Sequence, residues 1–343
     1  MLHKRAALLV GALFSGMLAM PASAQTVEEF YKNNPLRIII GYSPGGGYDV
    51  YARLLARHIS EHIPGNPEII TENLPGAGSV TLANQIANVL PSDGTVIGAV
   101  SRAIPVEPLL EINPTQYDAR ELNWIGSMTD EASVCVASAK SGIESWEQVV
   151  NGEKEIILGG TGAASDNEVF PRMQAELFGA KIRIISGYPG SSEVTLAMEQ
   201  GEIDGMCGSW SSFASTRADM LESGAIKVLV VLSTQPVPGL EKYPLVTEFA
   251  KTDDQKQVLN LILSRLVLAR PYVAAPGVPE DRLAALRKAF MDAAKDPDLV
   301  AEAKKLELEL NPVDGDTAEK LIEEVYTTPD AVVENTRKIL TVQ

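Results

Sequence analysis

Apolar positions along the chain fall into short runs that alternate with longer stretches at helical spacing. The first run, 36–40, is apolar and mostly β-branched, which predicts a strand. Over 49–62 the apolar residues Val50, Leu54, Leu55 and Ile59 share one helical face, and Pro64-Gly65 ends the segment. Strands are predicted again over 68–72 and 95–100, with a helix over 80–90 between them. The cycle resumes with strands over 124–128, 133–137, 155–158, 181–186 and 205–208, and helices over 168–178 and 193–200. Ser145-Trp146-Glu147-Gln148 has capping-box spacing and opens a further helix. After a strand over 228–232, Pro279 starts a helix with Leu283, Leu286 and Phe290 on one face, and Thr328-Pro329 caps a last one. Strand–helix alternation of this kind implies an α/β fold with mainly parallel sheets flanked by helices.

The first 24 residues break the pattern. Lys4 and Arg5 precede an uncharged apolar run over 6–20, and Pro21 leads into Ala22-Ser23-Ala24, a small-x-small cleavage site. That order predicts a secretory signal peptide over 1–24, and hence a soluble periplasmic product. No other long uncharged apolar run exists. The net charge of −16 becomes −18 once Lys4 and Arg5 leave with the leader. Such an acidic chain argues against nucleic acid and anionic lipid headgroups as partners. Cys135 and Cys207 are either a disulfide, which an oxidising compartment permits, or two buried thiols. Two cysteines with no histidine beside them make no metal site.

Three glycine-bearing turns each join a predicted strand to a predicted helix. They are Ile40 to Asp49, Leu158 to Asp166, and Ser186 to Ser192. Glycines let successive N–H groups converge on one point, and the positive end of the following helix dipole adds to the attraction for an anion. The alternative at each is a plain tight turn. Three such turns on two sheets are accounted for together as walls of one cleft that takes a small anionic solute. In the second, Gly160-Thr161-Gly162 begins a dinucleotide pattern, but Ser165 stands at its final glycine position and no cofactor is expected.

Two catalytic patterns fail. Gly41-Tyr42-Ser43-Pro44-Gly45 matches a nucleophile elbow and would make Ser43 a hydrolase nucleophile, yet no histidine base follows it late in the chain. His58-Ile59-Ser60-Glu61-His62 matches an inverted zinc-protease pattern without a third ligand. The chain is read as a non-enzyme.

Taken in order, the stretch from Ile39 to Asp49 with Ala52-Arg53, then Asn73-Leu74-Pro75-Gly76-Ala77-Gly78, Asp93-Gly94, Gly159 to Ser165, Tyr188-Pro189-Gly190, Gly201-Glu202-Ile203-Asp204 and Ala275-Pro276-Gly277-Val278-Pro279 resemble the solute receptors of tripartite tricarboxylate transporters, the Bug receptors. The resemblance covers nearly all of the chain after residue 24. It implies a two-lobed periplasmic binding protein of type II, with crossings near Trp124 and Val228. Residues 25–124 and 229–343 then form one lobe and 125–228 the other. It implies a carboxylate held by the first and second glycine loops. Tyr42, Ser43, Gly45, Gly46, Gly47 and Asp49 would line one wall and Gly160, Thr161, Gly162 and Ser165 the other, with Tyr188 and Asp204 nearby. It further implies integral membrane transporter subunits as partners, and the receptor is expected to be a monomer. A role as a ligand sensor for a signalling partner is the alternative. Gly41-Tyr42-Ser43 departs from the family's Pro-Phe-Pro, and Gly205 to Trp210 departs where an acidic or amide residue is common. The ligand is therefore left as a mono- or dicarboxylate, aliphatic or aromatic. Arg102 suits a bidentate carboxylate or a surface salt bridge. Trp210 suits stacking on an aromatic ligand, or a core or hinge role.

Overall fold

A computed structural model describes residues 25–341, so the leader expected over 1–24 lies outside the described residues. The strands are β1 (Leu36–Ile40), β2 (Ile69–Asn73), β3 (Val96–Ala99), β4 (Asn123–Ser127), β5 (Ser133–Ser138), β6 (Ile156–Gly159), β7 (Ile182–Ile185), β8 (Gly205–Ser209), β9 (Ile226–Leu232), β10 (Pro271–Ala274) and β11 (Val313–Asp314). They form a six-stranded sheet in the order β11-β4-β10-β3-β1-β2 and a five-stranded sheet in the order β7-β6-β8-β5-β9. Each sheet, with its helices, is one lobe of an α/β fold.

Both sheets are mixed, where mainly parallel ones were expected. β1 pairs in parallel with β2 and β3, and β6 with β7 and β8. The antiparallel pairs involve the strands next to the crossings: β10 lies between β3 and β4, and β5 between β8 and β9. A chain that enters a sheet from the other lobe need not return by a helical crossover, so it can pair antiparallel.

The expected lobe boundaries shift for the same reason. β4 stays in the first sheet to Ser127, and β9 stays in the second to Leu232. The first crossing therefore falls between Ser127 and Ser133, and the second follows Leu232. The tail is also shared. The Asp253–Leu263 helix sends Val258, Leu259 and Ile262, and the Asp330–Thr341 helix Val333 and Leu340, into the core of the second lobe beside Leu158 and Phe170. Their apolar faces need that cover, and the outer face of the second sheet supplies it.

In the first lobe, Leu36, Ile38 and Ile40 face the Gly47–His58 helix through Leu54 and Leu55. Ile39 faces the other way, against Leu82 and Ile86 of the Val80–Asn88 helix. Covering on both faces accounts for the unbroken apolar run in β1. In the second lobe Cys135 and Cys207 sit directly opposite each other on β5 and β8 and are joined by a disulfide, which removes the free-thiol alternative. The Trp146–Val150 helix forms as expected, but Ser145 makes no side-chain cap; the Gln148 side chain accepts from the Glu144 N–H at 3.0 Å instead. Among the described residues no helix is long and apolar enough to cross a membrane.

Candidate functional site

The loop after β1 meets the loop after β7 between the lobes, and the backbone of one side lies directly on serines of the other, while the loop after β6 lies against Ala77 and Gly78 in the loop after β2. A Cβ on Gly45 would come 3.2 Å from Ser192 Oγ, and one on Gly46 2.8 Å from Ser191 Oγ. A Cβ on Gly47 would run into Ser212, and one on Gly190 into Ser43. At Gly47 and Gly190 the lobes approach so closely that a side chain has no room, whereas at Gly46 only the rotatable Ser191 hydroxyl stands in the way. Ser43 Oγ donates across the gap to Glu193 Oε2 at 2.9 Å. The lobes are closed on one another.

Between them is a small cavity of about 70 Å³. A single buried water needs about 10–15 Å³ by this kind of measure, so the space suits a small solute. Tyr42, Gly46, Gly47, Tyr48 and Arg102 line it from the first lobe, as does Arg270, which immediately precedes β10. Thr161, Ser165, Asp166, Asn167, Ser191, Ser209, Ser212, Phe213 and Arg217 line it from the second. The Gly47–His58 helix starts here with Gly46 as its N-cap and no side-chain cap bond. Its first N–H groups have no partner inside the helix, and its positive dipole end points at the cavity wall.

The charges around this space are mostly paired across the lobes. The Arg102 guanidinium, 1% exposed, bonds Asp166 and Ser133 and reaches Glu131 Oε1 at 3.4 Å. Burial disfavours its charge, but Asp166, Tyr48 and Glu131 outweigh that and hold its pKa above the ordinary value. It is thus a buried cross-lobe pair and not a surface salt bridge. Arg270 pairs with Glu131 Oε1 at 2.6 Å and donates to Ser209 Oγ at 2.6 Å and Ser212 Oγ at 2.9 Å. Its guanidinium also stacks 4.7 Å from the centre of the Tyr48 ring, whose other face carries Tyr42 at 4.6 Å. Both faces of Tyr48 are therefore covered. Burial raises the pKa of Tyr42 and of Tyr48, so both hydroxyls stay neutral.

The two glycine loops use their amides differently. In the first, the Gly45 N–H donates to Asp49 Oδ2 at 2.9 Å, which leaves the helix N-terminus to the cavity. In the second, Gly160 N–H donates to Ile185 O at 2.9 Å, Thr161 N–H to Asn167 Oδ1 at 3.0 Å and Gly162 N–H to Glu168 Oε1 at 2.7 Å. The expected convergence of amides on the cavity is therefore not met at the second loop, whose N–H groups are taken. The second loop offers hydroxyls instead, with Thr161 Oγ1 and Ser165 Oγ 2.8 Å apart.

Of the residues singled out from sequence, Tyr42, Gly46, Gly47, Arg102, Thr161 and Ser165 line the cavity. Ser43, Gly45, Asp49, Gly160 and Gly162 build the two loops behind it. Tyr188 packs beside Gly159. Asp204 is not brought there: it precedes β8 at the end opposite Ser209, and its Oδ2 accepts from Ile157 N–H at 2.8 Å. Trp210 faces a separate hollow with Leu221, Lys242 and Tyr243. Among the described residues Ser43 has no imidazole near it, since His58 and His62 pair with Glu302 and Asp296. Sequence reasoning missed Arg270, Arg217, Tyr48 and Asp166. Arg270 did leave a signal, as a lone cation closing the apolar run Leu266-Val267-Leu268-Ala269. Arg217 left none.

Comparison with known proteins completes the description. The model of the tripartite tricarboxylate transporter family receptor matches residues 51–337. A UPF0065 protein of Bordetella bronchiseptica is 24% identical over 308 residues, covering 81% of this chain and 87% of its own. A UPF0065 protein from the gbd 5′ region of Cupriavidus necator is 33% identical over 147 residues, a match that spans 43% of each chain. Among solved structures the periplasmic binding protein BugD superposes with a TM-score of 0.70 at 20% identity, over 90% of this chain and 98% of its own. MatC of Rhodopseudomonas palustris with bound malate gives 0.70 at 15% identity, over 90% and 99%. Rpa4515 of R. palustris with adipate gives 0.69 at 16%, over 90% and 97%. These neighbours have the two-lobed fold and are solute-binding proteins, not enzymes.

Proposed function

Because the chain belongs to the tripartite tricarboxylate transporter receptor family, we propose that it is exported to the periplasm, captures a small carboxylate between its lobes and delivers it to integral membrane transporter subunits. The observation that carries this reading is the excess of buried guanidinium over carboxylate around the cavity between the lobes, beside the N-terminus of the Gly47–His58 helix. An anion there gains charge-assisted hydrogen bonds out of water. The acidic exterior is no obstacle, because exposed charges are screened beyond about 8 Å at physiological salt. The positive, apolar and small-residue segments over 1–24 support export. The malate and adipate held by MatC and Rpa4515 are of the same chemical class.

Binding favours the closed arrangement, and the closed form is the one presented to the transporter. A thermal-shift screen of small carboxylates tests the reading. A true ligand at 100 times its Kd stabilises the protein by about 2.7 kcal/mol. Stabilisation by neutral or cationic solutes alone, with none from any carboxylate, would overturn the proposal.

A further inference from the structure

Four arginines surround the cavity or lie directly behind it, and two carboxylates answer three of them. Asp166 serves Arg102 and also Arg265, whose Nη1 lies 3.3 Å from Asp166 Oδ1. Glu131 serves Arg102 and Arg270. Arg217 is the exception. It is 4% exposed and lines the cavity from the second lobe. Its bonds go to neutral oxygens: Nε to Thr195 Oγ1 at 2.5 Å, Nη1 to Thr216 Oγ1 at 2.6 Å and Nη2 to Ser191 O at 2.8 Å. Among the described residues no carboxylate lies within 4 Å of it. Glu199 is the one acid whose field favours its charge, and burial pushes its pKa down to about 10. Three of the five guanidinium N–H groups are engaged, which leaves two free on the terminal nitrogens. The positive charge of Arg217 thus goes unpaired by any carboxylate of the described residues. A buried charge without a counter-charge is costly, and a ligand that supplies it binds through that difference.

We infer that Arg217 is the specificity-determining residue of the cleft. It pairs with the second carboxylate of a short dicarboxylate whose first carboxylate sits at the N-terminus of the Gly47–His58 helix. The inference rests on the carboxylate reading above and sharpens it. The two poles belong to different lobes, so a diacid bridges the closed form while a monoacid answers only one lobe.

Calorimetric titration of the wild type, Arg217→Met and Arg217→Lys with succinate, glutarate and adipate, each beside its monomethyl ester, separates the outcomes. The wild type is expected to prefer a diacid over its ester by about 30-fold or more, the scale of one charged hydrogen-bonded pair. Arg217→Met should bring the diacid down to the affinity of the ester. Arg217→Lys should keep part of the preference. The ligand-free Met variant should melt no lower than the wild type, since the change removes an unpaired buried charge; a merely structural arginine would lower it. A wild type indifferent to esterification, or an Arg217→Met that keeps the wild-type ratio, overturns the inference and leaves the carboxylate reading standing. A wild type that binds neither diacids nor esters overturns both. Should the Met variant not fold, the wild-type ratio and the Lys variant decide.

Discussion

The first and second glycine loops look alike in sequence, Ser43-Pro44-Gly45-Gly46-Gly47 and Gly159-Gly160-Thr161-Gly162, and each leads from a strand into a helix. They differ in what occupies their amides. Asn167 and Glu168, in the first turn of the helix after the second loop, fold back on Thr161 and Gly162. An acidic or amide side chain six residues beyond each N–H has taken the place an anion would have. The first loop has only Asp49, which reaches Gly45 and leaves the helix start open. A glycine-rich turn is thus an anion site only when the following helix turn does not carry its own acceptor.

The comparison breaks most forcefully at Gly46. Its φ of −85° is open to any residue, so the backbone tolerates a side chain. The side chain would however project toward Ser191 and into the cavity. Gly46→Val should weaken binding by about 100-fold or more, roughly 2.7 kcal/mol, with little change in folding stability. Calorimetry beside a urea titration checks both halves. Wild-type affinity in that variant would mean that the first loop is not the ligand's wall.

Much of this was readable beforehand, and the remainder was not for definite reasons. β1 and the two covering helix patterns were visible because both faces of the sheet are apolar. The first loop's place beside the cavity followed from its glycines and the helix behind it. Pairing direction and the lobe assignment of the tail were not visible. Period-2 and period-3.6 patterns show which face is buried but not against which lobe. The helix at 253–263 could not be assigned to the second lobe on pattern alone. Arg217 was hidden for a related reason. A buried cation and an exposed one look the same in sequence when flanked by Thr216 and Ala218, and only the packing of 195, 191 and 216 around it distinguishes them.

Glu168 sharpens the contrast from the other side. Its carboxylate, 1% exposed, holds the Gly162 N–H at 2.7 Å and lies 3.5 Å from Arg172. Glu168→Ala leaves a buried amide without its acceptor, which should cost about 2 kcal/mol of folding stability. Affinity for the ligand should change by no more than a few-fold, because the loop's amides do not serve the cavity. Urea midpoints and calorimetry read the two quantities. A large affinity loss at unchanged stability would put the two loops on the same footing after all.

Asp49 gives the smallest and most specific effect. Burial pushes its pKa upward, but hydrogen bonds from Arg53, Gly45 and Asn73 outweigh that and hold it below the ordinary 3.8. A carboxyl depressed in the folded state contributes stability that is fully present above its unfolded pKa and fades as pH falls through the folded value. Asp49 should therefore stabilise the first lobe at neutral pH and lose that contribution below about pH 4. Asp49→Asn keeps an oxygen for the Gly45 N–H and loses the charge opposite Arg53, so the loop keeps its shape while the lobe weakens by about 1 kcal/mol at pH 7. Thermal unfolding followed from pH 7 to pH 3 should show the two proteins converging as the acid limb is reached, with ligand affinity at pH 7 within about 3-fold of the wild type. A gap between the curves that persists unchanged to pH 3 would mean that the carboxylate's charge is not what steadies the first loop, and the distinction between a loop held from behind and one filled from its own helix would lose its electrostatic half.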